Sequence, residues 1–480
     1  MSDPRNVKFP LKVVLNKQKT KVLYAEANSE FTDVLLSFLT LPLGTIVRVL
    51  QKHDPSFSFG SIATLYKGLA SLDSVHFRTE GFKQMLLNPR TSSEVARHKL
   101  KLNIDDTDEP TKYYRCASPD CCFDDYLYVS IYRGMITCDC GKSTLSKEIK
   151  FDKDSISRFA DDGFSGVYTT SHFIISDDLQ IFPSVTGNVI RFLSNMGITD
   201  MDDQTELMDV TLGFKEIMDL LKGSLLSDIL LSDIVLKKRR VESFALKYEL
   251  GTLVPSNLKS LTFYSIASVV KAIIQKSTNK LIYVEGDDKF VEFLFSLLTI
   301  PLGGIEHLLG GSTKLKFVDN LYRTLRETNG DMYLKKGWTK YMLLNPKLPL
   351  GYTTSDSQLL PLNEEDPLDM CFKEGYLSIA YSTDNLVGFK SPKGRRNYVK
   401  GTSMYMVTDD LVVTHLCTTS CFSTLNLLKV PLSDVREMEL KIGLKEALRI
   451  LAASLTSTRC LSDGLSDLLL EKQSKQEQRV

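Results

Sequence analysis

Five of the nine cysteines in this 480-residue chain fall in one short stretch, CASPDCCFDDYLYVSIYRGMITCDCGK, which runs from Cys116 to Lys142. Thiolates suit zinc, which takes four ligands in a tetrahedron. Four residues separate Cys116 from the Cys121–Cys122 pair, fifteen separate that pair from Cys138, and one separates Cys138 from Cys140. Two short cysteine pairs at that separation resemble a zinc ribbon, with Pro119 and Gly141 supplying turn chemistry. The expected ligands are Cys116, Cys138, Cys140 and either Cys121 or Cys122. The spacing departs from a ribbon, which places two residues inside each pair. Thiols without metal, and a disulfide or redox pair, therefore stay open as alternatives. Four protein ligands would leave zinc no open position, so its role would be structural.

Other residue patterns point less far. Gly-Lys-Ser in CDCGKST invites a phosphate loop, but Ile136 stands where the first glycine is required. None of the six histidines forms a His-Glu-x-x-His pattern, and His415, Cys417 and Cys421 sit in an apolar alternating stretch that reads as core packing. Asp177–Asp178 and Asp409–Asp410 could act as acid and base, but adjacent strand residues point to opposite faces, so they read as turn formers. The basic runs LKKRR (236–240) and SPKGRR (391–396) read as solvated linker and loop rather than import signals.

Lys+Arg and Asp+Glu both total 59, so the chain lacks the basic excess that non-specific nucleic-acid or acidic-membrane binding needs. The polar start MSDPRNVKFPLK lacks a secretory signal's apolar core, and no apolar run approaches the ~20 residues of a membrane span. A cytoplasmic, or alternatively nuclear, location follows as an expectation. There, reducing conditions disfavour disulfides.

The chain repeats itself. KVLYAEANSEFTDVLLSFLTLPLGTI (21–46) returns as KLIYVEGDDKFVEFLFSLLTIPLGGI (280–305), with twelve of 26 positions identical. In the same order, MLLNP at Met85 returns at Met342, TSHFIISDDL at 170–179 as TSMYMVTDDL at 402–411, GFKE at 213–216 as GLKE at 443–446, and LSD at 231–233 at 461–463. A period this long implies two tandem domains rather than a solenoid. Their expected extents are 9–240 and 266–470, with a linker at 241–265 and a disordered tail at 471–480. The second copy is about 25 residues shorter where the first holds its cysteine cluster, and has only Cys371 there.

Each copy opens with two apolar β-branched runs around a polar turn, which predicts a hairpin. A helix carrying Phe31, Val34, Leu35, Phe38 and Leu39 on one face should follow. Pro42 cannot continue that helix and should open the next one, which carries Ile46, Val47 and Leu50. Short helices, further strands and a C-terminal helix complete each copy. Without regular βαβ alternation, the class is α+β.

FLTLPLGTI, MLLNP, the Cys-x-Cys-Gly turn and VTDDL together resemble the plant domain-of-unknown-function family 674. The resemblance covers nearly the whole chain. It implies a flowering-plant source, tandem repeats and a cysteine cluster that varies between copies, and it carries no activity. What the copies share is mainly apolar or turn-forming, which is unlike a duplicated active site. The expectation is a non-enzymatic intracellular interaction or scaffold module with protein partners and a structural zinc. The alternatives are an enzyme or small-ligand binder with a cleft between the copies and, more weakly, a nucleic-acid binder through the zinc element.

Overall fold

The computed structural model describes residues 6–92, 100–105, 112–118, 121, 127–152, 172–195, 197–198, 205–227, 230–237, 267–327, 337–353, 358–365, 370–373, 376–379, 386–391, 397–401 and 403–477. The class is α+β. The first half runs β1 (Lys8–Asn16), β2 (Val22–Asn28), α1 (Ser29–Ser37), α2 (Leu43–His53), α3 (Ile62–Ser71), α4 (Glu80–Leu87), β3 (Tyr113–Cys116), β4 (Tyr128–Val129), β5 (Leu145–Phe151), β6 (His172–Ser176), β7 (Ile181–Pro183), α5 (Thr186–Asn195), β8 (Thr205–Gly213), α6 (Phe214–Leu226) and α7 (Leu231–Val235). The second half runs β9 (Ser268–Gln275), β10 (Leu281–Asp287), α8 (Asp288–Ser296), α9 (Leu302–Leu308), α10 (Lys316–Glu327), α11 (Gly337–Leu344), β11 (Met370–Lys373), β12 (Tyr376–Ile379), β13 (Gly388–Phe389), β14 (Met404–Thr408), β15 (Val413–His415), α12 (Thr418–Leu427), β16 (Val435–Ile442), α13 (Leu444–Thr456), α14 (Cys460–Gly464) and α15 (Ser466–Glu477).

Each half builds a five-stranded sheet, ordered β7-β6-β2-β1-β8 in the first and β15-β14-β10-β9-β16 in the second. The hairpins form for local reasons. Asn16 accepts hydrogen bonds from the Thr20 and Lys21 backbone at 2.8 and 2.9 Å, and Lys19 takes the left-handed conformation in the turn. Asn28 and Asp287 then cap α1 and α8 by accepting from Phe31 and Phe290 N–H at 3.1 and 3.0 Å. Pro42 and Pro301 stand at the cap of the next helix, one residue earlier than the sequence suggests, in extended conformation. Ile46, Val47 and Leu50 are fully buried beyond it.

The repeated segments meet each other. Pro42 and Pro301 form an antiparallel bridge, in which Leu43 N–H donates to Ile300 O and Leu302 N–H to Leu41 O, both at 3.1 Å. The same groups thus serve both sides, as in an isologous contact. Small residues allow the approach: a Cβ on Gly303 would lie 2.5 Å from Leu343 O and 3.1 Å from Leu39 O.

The halves also exchange helices. From α10, Asn320 donates to Asp178 O at 2.7 Å, and Thr324 Oγ1 accepts from Ile181 N–H at 3.1 Å. Just before α3, Ser61 donates through N–H to Ser454 O at 2.9 Å and through Oγ to Ser457 O at 2.6 Å. One hydrophobic cluster, from Phe9 through Phe31 and Leu298 to Leu469, therefore runs through both halves. A third sheet is built jointly. Its order is β11-β12-β5-β3, with β12 parallel to β5, and β4 pairs in parallel with β13.

Two expectations differ from the structure. Helix α15 begins at Ser466, buries Leu469 and continues to Glu477 across the first part of the segment expected to be a disordered tail, whose residues 478–480 lie outside the described residues. Of the three residues read as core, His415 on the edge strand β15 and Cys417 at the cap of α12 are exposed, whereas Cys421 is partly buried against a hydrophobic cluster. The linker segment 241–265 lies outside the described residues, as does most of both basic runs. Among the described residues, no helix is long and apolar enough to cross a membrane.

Candidate metal centre

β3 ends at Cys116, and the chain turns so that Cys121 N–H donates to Ser118 O at 3.3 Å. The second cysteine pair occupies a hairpin that leads into β5. Leu145 N–H donates to Ile136 O at 2.8 Å, Cys138 N–H to Ser143 O at 2.9 Å and Gly141 N–H to Cys138 O at 2.9 Å. Gly141 has φ +69°, which only glycine adopts readily, so the residue after the Cys-x-Cys is fixed by the turn. Antiparallel pairing sets Cys116 opposite Leu145, which brings both turns to one end of the sheet.

The Sγ atoms of Cys116, Cys121, Cys138 and Cys140 all lie within 4.8 Å of one another. Cys116 and Cys140 are 3.6 Å apart, and Cys121 and Cys138 are 3.3 Å apart. A tetrahedral ion with metal–sulfur bonds of about 2.3 Å would hold its sulfurs about 3.8 Å apart. The set therefore fits with small adjustments, and soft thiolates match the ion. Ile136 and Leu145 pack around the sulfurs. Cys140 is the least buried of the four. The Lys142 N–H beside it pushes its thiol down to about 6, whereas burial pushes the Cys116 thiol up. Of the two adjacent candidates Cys121 joins the cluster, and Cys122 lies outside the described residues.

The second half supports this site in a way the sequence did not signal. Lys390, next to β13, ion-pairs with Asp139, the residue between Cys138 and Cys140, and its Nζ lies 4.0 Å from the centroid of the Tyr128 ring. Its N–H also donates to Val129 O at 2.8 Å. Cys371 stays apart on β11, where its buried thiol lies 3.1 Å from Ser378 Oγ.

The other repeated polar residues are engaged in structure. Asp177 accepts from Ser232 N–H and Oγ at 2.8 and 3.0 Å, and Asp409 accepts from Ser462 N–H and Oγ, both at 2.7 Å. Each thereby satisfies the start of a short helix, α7 or α14. Asp178 and Asp410 accept from Ser176 and Thr408 hydroxyls inside their turns, both at 2.5 Å. Glu216 and Glu446 accept from Gly213 and Gly443 N–H, both at 2.9 Å, as half of a capping box. These contacts account for the repeated DDL, LSD and Gly-x-Lys-Glu motifs.

Two polar groupings at or near the joint were not legible. His76 and His415 stack across it, with centroids 5.0 Å apart, and burial lowers the His76 pKa. Thr313 Oγ1 lies 2.8 Å from Glu306 Oε1 and 2.6 Å from Asp319 Oδ1. The hydroxyl has one proton to offer to two carboxyls. Glu306 is fully buried, which pushes its pKa well up. A cavity of about 20 Å³ lined by Glu292, Tyr352 and Tyr398 has room for about one water.

A family model described as protein of unknown function (DUF674) matches residues 5–445. No curated protein and no solved structure matches the chain.

Proposed function

From the premise that the chain belongs to the DUF674 family, we propose that it is a non-enzymatic intracellular plant protein, an interaction or scaffold module whose two halves are tandem copies of one unit stapled by a structural zinc. The observation that carries this reading is the closed set of four thiols within 4.8 Å. Four protein sulfurs complete a zinc tetrahedron and leave no position for a substrate. Cys116, Cys121, Cys138 and Cys140 would be the ligands, and the ion would tie β3 to the hairpin before β5. Since β5 pairs with β12, the ion also stiffens the sheet shared by both halves.

Two further observations support a structural role. The acidic residues repeated between the halves bond to helix starts and turns. Phe422, Leu427, Leu428 and Leu432 are exposed on and just after α12, with Leu427 at 83% exposure, which suits contact with a protein partner.

The test is metal content of the purified full chain, beside Cys138→Ser and Cys140→Ser. The reading expects close to one zinc per chain in the parent and loss in both variants. Less than about a tenth of an equivalent in the parent would sink it.

A further inference from the structure

We infer that the four-thiol cluster is a peroxide-sensitive release switch: oxidation joins Cys116 to Cys140 and Cys121 to Cys138 and ejects the metal. This inference rests on the metal reading above. Its geometric basis is the pairing of sulfurs across the two turns, at 3.6 Å for Cys116–Cys140 and 3.3 Å for Cys121–Cys138. Each pair needs its sulfurs to close to about 2.05 Å, a movement of one to two ångströms at turns. Each bridge would cross-link β3 or its turn to the Cys138–Ser143 hairpin, so the sheet end stays closed after the ion leaves. The four sulfur-bearing residues also differ in exposure. Cys116, Cys121 and Cys138 are buried, whereas Cys140 is partly exposed, so an oxidant would meet Cys140 first.

The chemistry balances with hydrogen peroxide as the named oxidant. The Cys140 thiolate attacks one peroxide oxygen. A sulfur–oxygen bond forms, the oxygen–oxygen bond breaks, and hydroxide leaves and takes a proton to become water. The Cys116 thiolate then attacks the Cys140 sulfur. The sulfur–sulfur bond forms, the sulfur–oxygen bond breaks, and a second water leaves after protonation. Two thiolates have lost two electrons, and one peroxide has gained them. The remaining two sulfurs cannot hold the ion tetrahedrally, and a second peroxide converts Cys121 and Cys138 in the same way. Restoring the site requires a thiol reductant and zinc.

The experiment uses the full chain carrying Cys417→Ser, which removes an exposed thiol that is not part of the cluster. Zinc release under hydrogen peroxide is followed with a coloured chelator, and bridges are mapped by non-reducing peptide mass spectrometry. The expected result is release of the bound zinc in step with the Cys116–Cys140 and Cys121–Cys138 bridges, reversed by dithiothreitol plus zinc. Zinc retained under peroxide that oxidises other thiols, or release with a different pairing, overturns the inference. A chain that purifies without zinc counts against the metal reading alone. In that case the pairing stands if the metal-free chain still gives both bridges, and falls if it does not.

Discussion

Lys390 reaches from the second half to Asp139, the residue held between Cys138 and Cys140 in the first. Its Nζ also lies 4.0 Å from the Tyr128 ring centroid, and one side chain thus contacts the tight turn that presents two of the four sulfurs. Lys390→Met keeps the apolar stem and removes the charge. It should weaken zinc about tenfold, as loss of an outer-shell partner does, measured by competition with a chelator of known affinity. Lys390→Arg should keep most of the affinity. Equal affinities in Lys390→Met and the parent would show that the turn holds itself.

The carboxylates that start α7 and α14 lend themselves to a direct comparison. Asp409→Ala strands Ser462 N–H and Oγ at a partly buried site and should cost about 1–3 kcal/mol in urea unfolding, with Asp177→Ala losing a similar amount. Asp409→Asn keeps an acceptor and should cost less. No loss in either alanine variant would remove the explanation for the repeated aspartates.

Burial pushes the Asp33 carboxyl up to about 8 and raises Glu306 well above its ordinary value. The folded chain therefore keeps protons that the unfolded chain has released, and for Asp33 this holds between about pH 4 and 8. Stability from this group is fully present below the unfolded pKa and falls as pH rises through that window, by at most about 1.4 kcal/mol per pH unit. Asp33→Asn should flatten the slope by one proton's worth in unfolding titrations at several pH values. Glu306→Gln, which supplies a permanent donor toward Thr313, should retain the melting temperature and resist alkali better than the parent. An unchanged slope in Asp33→Asn would mean that the carboxyl is ionised in the fold.

Gly303 tests the joint between the halves. A methyl there would stand 2.5 Å from Leu343 O, whereas at Gly44 the nearest atoms are at 3.0 and 3.1 Å. Gly303→Ala should therefore lower the melting temperature more than Gly44→Ala, by several degrees for a cost of about 1–3 kcal/mol. The reverse order would show that the joint yields at Gly303.

Much of this was written locally. The hairpins, the stops at Pro42 and Pro301, and the buried face of Phe31, Val34 and Leu35 follow from side-chain period and backbone chemistry. Four of the five clustered cysteines come together because two tight turns share a sheet end. Contacts between distant segments were not legible. Nothing near Asp139 signals Lys390, and no period places α10 beside Asp178. The raised pKa of Glu306 depends on depth of burial, which a string of residues does not reveal.

The bridge of Pro42 with Pro301 gives the chain a built-in partner. The same contact made between two separate molecules would depend on concentration. Here the mate is tethered, so the contact forms at any dilution. Tethering also lifts the demand that both mates be alike. One can keep the sulfurs while the other contributes the lysine that steadies them, a division of labour closed to a symmetric pair.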